Sequence, residues 1–270
     1  CRFYKIYTGD KIMNEKMSAV KCFLLDMDGT IYLDDQPFEG AVEAVERMKK
    51  RGTVLFLTNN SSRTADEYVA KLNALGFSAD KSNVYTSSMA AVQYLNARYG
   101  GARTYVFAND AVKREFASAG INCVDDNPQI ALIAFNTSFY YDELEKLCNF
   151  IREGVPYICT HDDINCPTVR GYKPDVGSYI ALIEKSTGIK PLAVCGKPYA
   201  VMGNCIKSRY SLQPRQIAMF GDRLATDIRF GCTNNFVTTL VLTGEATEDD
   251  AKKSGLDIDF ILPSVCDWDK

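Results

Sequence analysis

The stretch Val20-Lys21-Cys22-Phe23-Leu24-Leu25-Asp26-Met27-Asp28-Gly29-Thr30 decides the fold. A short apolar run ends abruptly in two carboxylates and a glycine. The run is too short for a helix and reads as a buried strand, Val20 to Leu25, that opens into a loop. In an extended chain residues two apart point the same way. Asp26 and Asp28 therefore address one place while Met27 packs on the opposite side. The same residues also fit a plain acidic turn with a glycine at its exit.

Outward from there the pattern alternates. Ala41, Val45 and Met48 recur at helical spacing and Gly52 stops the helix. Val54 to Leu57 is a second apolar strand, broken by Thr58-Asn59-Asn60-Ser61-Ser62, a cluster able to cap a helix. Tyr68, Leu72 and Leu75 continue with helical period up to Gly76. Strand, helix, strand, helix predicts a parallel sheet covered on both faces. The alternation returns late: strands at Leu192–Cys195, Ile217–Phe220, Phe236–Leu242 and Phe260–Leu262, helices at Pro198–Tyr210 and from Thr226 to Phe230.

Between these halves lies a second α/β set. Strands are expected at Thr104–Phe107, Ile130–Phe135 and Tyr157–Thr160, and helices at Val112–Ala119, Tyr141–Glu153 and Gly177–Ser186. The expected organisation is a discontinuous core, 18–81 and 189–270, an insert at 82–188, and a leader at 1–17 without an assigned role.

Bulk composition excludes several classes. The 270 residues carry a net charge of −3, with 46 % hydrophobic and 24 % charged residues. There is no basic stripe of the kind nucleic acid requires. No apolar run approaches the roughly 20 residues that span a bilayer. Ten cysteines without a C-x-x-C pair, beside a single histidine, His161, read as free thiols of a cytoplasmic protein rather than a zinc site or a disulfide framework.

Three further segments carry chemistry. Gly221-Asp222-Arg223-Leu224-Ala225-Thr226-Asp227 follows another apolar strand, so Asp222 falls at a second strand tip. Ligands of parallel α/β sheets gather at that edge. Several carboxylates there repel unless a cation neutralises them, and oxygen ligands suit Mg²⁺. Asp227, at a helix start, is equally a cap. Thr58 with the Asn59 and Asn60 amides offers an anion site that uses the same groups as an N-cap. Lys197, placed before Pro198, extends from a loop; a lone lysine of this kind is also a common surface charge.

In this order, D-x-D-G-T, a strand-end Thr, a Lys and G-D-x-x-x-x-D, the segments resemble the haloacid dehalogenase superfamily of phosphohydrolases over nearly the whole chain after Lys21. Leu57-Thr58-Asn59-Asn60-Ser61, Thr86-Ser87-Ser88-Met89-Ala90 and Gly196-Lys197-Pro198 resemble its NagD or p-nitrophenylphosphatase-like subfamily. The resemblance implies a Rossmann-like three-layer core with an inserted α/β type-2A cap. It implies Asp26 as nucleophile through an aspartyl-phosphate, and Asp28 as acid and base. Asp26, the Asp28 carbonyl and Asp222 would bind Mg²⁺, supported by Asp227. Thr58 and Lys197, with the Asn59 and Asn60 backbone, would hold the phosphoryl oxygens.

The implied substrate is a small phosphorylated metabolite: a sugar phosphate, nucleoside monophosphate, phosphoglycolate-like acid or aryl phosphate. An exposed cap surface is the expected contact of a homodimer. A non-catalytic phosphate binder, or a phosphotransferase or mutase, are the competing readings; Asp28 argues against a dehalogenase. One departure concerns the cap. Members of the resembled family often read A-T-N-x-D where this chain has Cys159-Thr160-His161-Asp162-Asp163. His161 and Asp163 are thus candidate substrate contacts, with a surface-loop histidine as the alternative.

Overall fold

The computed structural model describes residues 11–168 and 171–269. The first ten residues of the expected leader lie outside this range; the rest of it begins the helix Lys11–Ser18. The described chain divides into two compact units. One takes residues 11–57, Tyr68–Tyr85 and 206–269; the other takes Thr58–Glu67 and Thr86–Cys205.

The first unit is built on a six-stranded sheet. Its order is Phe260–Leu262, Val237–Val241, Ile217–Gly221, Cys22–Leu25, Thr53–Thr58 and Val84–Thr86. Cys22–Leu25 runs parallel to both of its neighbours, with Leu25 beside Phe220 on one side and Phe56 on the other. All four of its residues are buried, as expected for a central strand covered on both faces. Each fully buried Leu or Phe contributes roughly 1.5–3 kcal/mol of hydrophobic stabilisation.

The helix Ala41–Arg51 buries Ala41, Ala44, Val45 and Met48, which is one stripe at i, i+3, i+4 and i+7. Its last turn carries Lys49, Lys50 and Arg51, the charges that suit a helix C-terminus. The end of the chain returns to this core. The Trp268 ring meets Phe23 edge-on at 5.2 Å, and the Arg51 guanidinium lies 5.1 Å from the indole.

The second unit has its own five-stranded parallel sheet, ordered Ala193–Val194, Tyr157–Cys159, Ile130–Ile133, Arg103–Phe107, Asn122–Cys123. Tyr105, Phe107, Ile133, Phe135, Leu147, Ile151 and Ile183 close a core between the sheet and the helices Tyr141–Arg152 and Val176–Thr187. An antiparallel pair, Asn165–Thr168 with Gly171–Pro174, stands beside it.

Two strands join sheets that their position in the chain does not announce. Val84–Thr86, a three-residue run with no readable period, extends the six-stranded sheet. Ala193–Val194 pairs with Tyr157–Cys159 in the other sheet. A two-residue strand carries no periodic signal, so only its partner identifies its sheet. The helix expected from Thr226 also differs. Leu224–Ile228 forms one widened turn, in which the Ile228 N–H reaches back five residues to the Arg223 carbonyl at 3.1 Å. The regular helix Arg229–Asn234 follows. No disulfide joins the nine described cysteines, and no described helix is long and apolar enough to cross a membrane.

Candidate active site

Within the first unit, three strand ends converge. Asp26 follows Cys22–Leu25 directly, and its N–H donates to the Phe220 carbonyl at 2.9 Å, so the parallel pairing of the strands carries through it. Asp222 follows Ile217–Gly221. Asp227 arrives from the widened turn, a local geometry often found at functional sites. Each of the three offers a carboxylate oxygen, and these atoms all lie within 4.8 Å of one another. Among the described residues, this is the one group of three such side chains close enough to share a metal ion.

The clustering costs energy without a cation. Two unit charges 4 Å apart repel by about 4 kcal/mol at an effective dielectric of ~20. Asp222 registers this directly: burial, and then the charge of Asp227, push its carboxyl up to about 6. Asp227 is fully buried and accepts the Arg223 N–H at 3.2 Å. Burial works against the Arg223 charge, but Asp26, Asp222, Asp227 and Glu245 outweigh it and keep the guanidinium firmly protonated. Its Nε sits 3.2 Å from Glu245.

A third loop, Thr243-Gly244-Glu245 after the strand Val237–Val241, completes the cluster. The Glu245 N–H donates to Asp222 Oδ2 at 2.8 Å, and the Thr243 hydroxyl donates to the Gly29 carbonyl at 2.6 Å. Room for the carboxylates comes from glycines. A Cβ at Gly244 would lie 2.0 Å from Asp222 Oδ2, and one at Gly29 would lie 2.5 Å from the same atom. Gly29 also has φ +84°, a conformation that disfavours any side chain. Gly244→Ala should therefore displace the Asp222 carboxylate. A shift of about 1 Å in such a group costs on the order of 10²-fold in activity. Titrating activity with Mg²⁺ checks this; an unchanged metal requirement would show that the carboxylate had not moved.

Asp28 stands at the edge of the cluster, with its side chain 60 % exposed. Its Oδ2 accepts the Tyr32 hydroxyl at 3.3 Å, and the Lys71 ammonium lies 3.9 Å from Oδ1. Partial burial raises its carboxyl above the ordinary value, against the pull of Lys71 and Tyr32. Its open side to water limits how far burial can act. A carboxyl poised in this way can both give and take a proton.

The second unit gathers the other motif residues. The Asn60 N–H donates to Thr58 Oγ1 at 3.1 Å. Asn59 clamps the main chain at Lys197 from both sides: its Oδ1 accepts the Lys197 N–H at 2.8 Å, and its Nδ2 donates to the Lys197 carbonyl at 2.9 Å. Lys197 is 2 % exposed, which overturns the surface-charge reading of a lone lysine. A buried ammonium needs anionic company. His161 is likewise fully buried, and the surface-loop reading of it falls too.

The sequence profile described as "Haloacid dehalogenase-like hydrolase" matches residues 23–122, and one described as HAD-hydrolase-like matches 194–268. The chain is 32 % identical over 257 residues to the 5'-nucleotidase YutF of Bacillus subtilis, covering 93 % of this chain and 98 % of that one. The chain belongs to the haloacid dehalogenase-like hydrolases. The 4-nitrophenylphosphatase of Thermotoga maritima superposes on this hydrolase with a TM-score of 0.89 at 36 % identity, covering 93 % of this chain and 97 % of the other. The glycerol phosphate phosphatase of Mycobacterium tuberculosis, solved in complex with magnesium, gives 0.86 at 30 % identity, covering 93 % and 78 %.

Mg²⁺ fits the hydrolase's own residues. The donors are all carboxylate oxygens, a hard set suited to a hard ion, and burial together with the neighbouring Asp227 charge raises the Asp222 carboxyl at that point. Sequence reasoning had not assigned Arg223 or the Thr243-Gly244-Glu245 loop. The available signal was a third polar loop at the end of an apolar strand, weak because it holds only one acidic side chain.

Proposed function

We infer that this hydrolase is a magnesium-dependent phosphatase of small phosphomonoesters. The observation that carries the reading is the convergence of Asp26, Asp222 and Asp227 at strand ends, with ligand atoms within 4.8 Å. Its relatives are named 5'-nucleotidase, acid sugar phosphatase, D-glycerol 3-phosphate phosphatase and 4-nitrophenylphosphatase.

In the proposed mechanism, Asp26 attacks phosphorus and carries the phosphoryl group as an aspartyl-phosphate. Asp28 protonates the departing ester oxygen, then takes a proton from the water that releases phosphate. Its raised carboxyl and its open side to solvent support both roles. Lys197 and Thr58, with the Asn59 and Asn60 backbone, are proposed to hold the phosphoryl oxygens. Asp26, Asp222 and the Asp28 carbonyl are the proposed holders of Mg²⁺, with Asp227 supporting them from behind. The bound ion supplies the positive charge that lets one anion approach another. Separating an ionised carboxylate's attack from water's attack divides one difficult step into two.

The substrate range we propose is sugar phosphates, nucleoside monophosphates, phosphoglycolate-like acids and aryl phosphates. A cytoplasmic setting is the one we propose, with the nine described cysteines outside any disulfide with one another. Tyr140, Tyr141 and Tyr172, each more than 70 % exposed, support a homodimer contact on the second unit. A panel of phosphate esters assayed with Mg²⁺ and with chelator tests the function. We expect release of inorganic phosphate that stops on chelation; tight binding of the esters without release would overturn the reading.

A further inference from the structure

A chain of polar groups, buried except for the partly exposed Asp163, runs through the second unit to Lys197. His161, just after the strand Tyr157–Cys159, is fully buried between two carboxylates. Its Nδ1 lies 3.4 Å from Asp163 Oδ2, and its Nε2 lies 3.5 Å from Asp175 Oδ1. Asp175 is itself anchored as the cap of the helix Val176–Thr187, accepting the Val176 N–H at 2.7 Å. On the other side both Asp163 oxygens face Asn59 Nδ2 at 3.2 Å. Asn59 then grips the Lys197 main chain at both its N–H and its carbonyl.

A buried carboxylate left without a charged partner is costly. Here the buried Asp175 and the partly buried Asp163 flank one imidazole, which can face both with a donor only when each ring nitrogen carries a proton. We propose that His161, as an imidazolium, is a positioning residue that holds Asp163 on the Asn59 amide and so fixes the backbone presenting Lys197. The proposal rests on the reading of Lys197 as a phosphate-holding group.

The charged groups facing the ring are Asp162 and Asp163 from its own loop and Asp175 from the start of Val176–Thr187; Lys197 acts on Asp163 from its own loop. Burial pulls the imidazole down, but the Asp163 contact and the charges of Asp163, Asp175 and Asp162 outweigh it and set the ring above its ordinary 6.5. Burial also works on Asp163, yet His161, Asn59 and Lys197 keep its carboxyl below the ordinary value. The ring's proton is therefore present at low pH and is lost as pH rises through that elevated value. Once neutral, Nδ1 can instead accept the Asp163 N–H, 3.4 Å away, and its hold on the carboxylate is released. Turnover should accordingly fall on the alkaline side.

The chain contains a single histidine, so its imidazole C–H resonance can be followed without assignment. In protein free of added histidines we expect a midpoint above 6.5 that drops by about one unit in Asp163→Asn, where the opposite charge is gone. We also expect the alkaline limb of kcat/KM for p-nitrophenyl phosphate to share the wild-type midpoint and to vanish in His161→Gln. A wild-type midpoint below 6.5 would overturn the proposal without needing any variant to fold. So would an active His161→Gln enzyme that keeps the wild-type alkaline limb. If the wild-type protein releases no phosphate with Mg²⁺, the parent reading fails, and the positioning role fails with it.

Discussion

Asp26→Asn lowers phosphate release by at least about 10³-fold, which corresponds to roughly 4 kcal/mol of lost transition-state stabilisation. The amide has almost the shape of the carboxylate, and the Asp26 N–H to Phe220 carbonyl bond is made by the main chain. The strand pairing and the fold are therefore retained, and circular dichroism and the melting temperature should match the wild type. What disappears is chemical. A neutral amide oxygen is a far poorer nucleophile than an ionised carboxylate. The cluster also loses one of the charges that make it a cation site. Steady-state assays with p-nitrophenyl phosphate at saturating Mg²⁺ separate the two effects, because excess metal offsets only the second. Rates near wild type would remove Asp26 from the covalent role.

Asp222→Asn produces the second large effect, and it acts through the metal. Asp222 is buried and receives the Glu245 N–H on one oxygen. Its replacement removes one of the three carboxylate charges of the cluster. Mg²⁺ affinity should fall at least tenfold, by about 1.4 kcal/mol or more, and activity at limiting metal should fall by roughly 10²-fold or more.

The wild type adds a sign that can be checked. Its Asp222 carboxyl stands at about 6, raised by burial and by Asp227. A carboxyl in its protonated form cannot ligate, so Mg²⁺ binding should weaken as pH falls through about 6 and release protons when it occurs. Calorimetric titrations at pH 5 and pH 7.5 measure this directly. Equal affinity at the two values, or in the Asn variant, would mean that Asp222 does not bind the ion.

Much of the site could be read locally. An apolar run that stops at Asp26-Met27-Asp28-Gly29 places two carboxylates at a strand tip by the two-residue period alone, and Gly221-Asp222 repeats the arrangement. The structure brings those two tips together because Cys22–Leu25 and Ile217–Gly221 are adjacent parallel strands. The main helices and strands were likewise legible, since their periodicity lies within a window of a few turns. Short elements were not. Val84–Thr86 and Ala193–Val194 hold too few residues to show a period, and hydrogen bonding across the sheet assigns them.

The harder case is the isolated polar residue. Lys197 and His161 each have surface charge as their simplest reading, yet both are buried. Their partners explain why, and those partners are distant in sequence: Asn59 lies 138 residues before Lys197. No local pattern encodes such a pairing, because the energy that makes burial tolerable belongs to a hydrogen-bond network and not to any one of its members. The strand tips and the identity of the acidic motifs thus follow from local chemistry, whereas the strand order does not. Which polar groups leave water, and what charge they then carry, follows only from the packed chain, because desolvation and its compensation act across space.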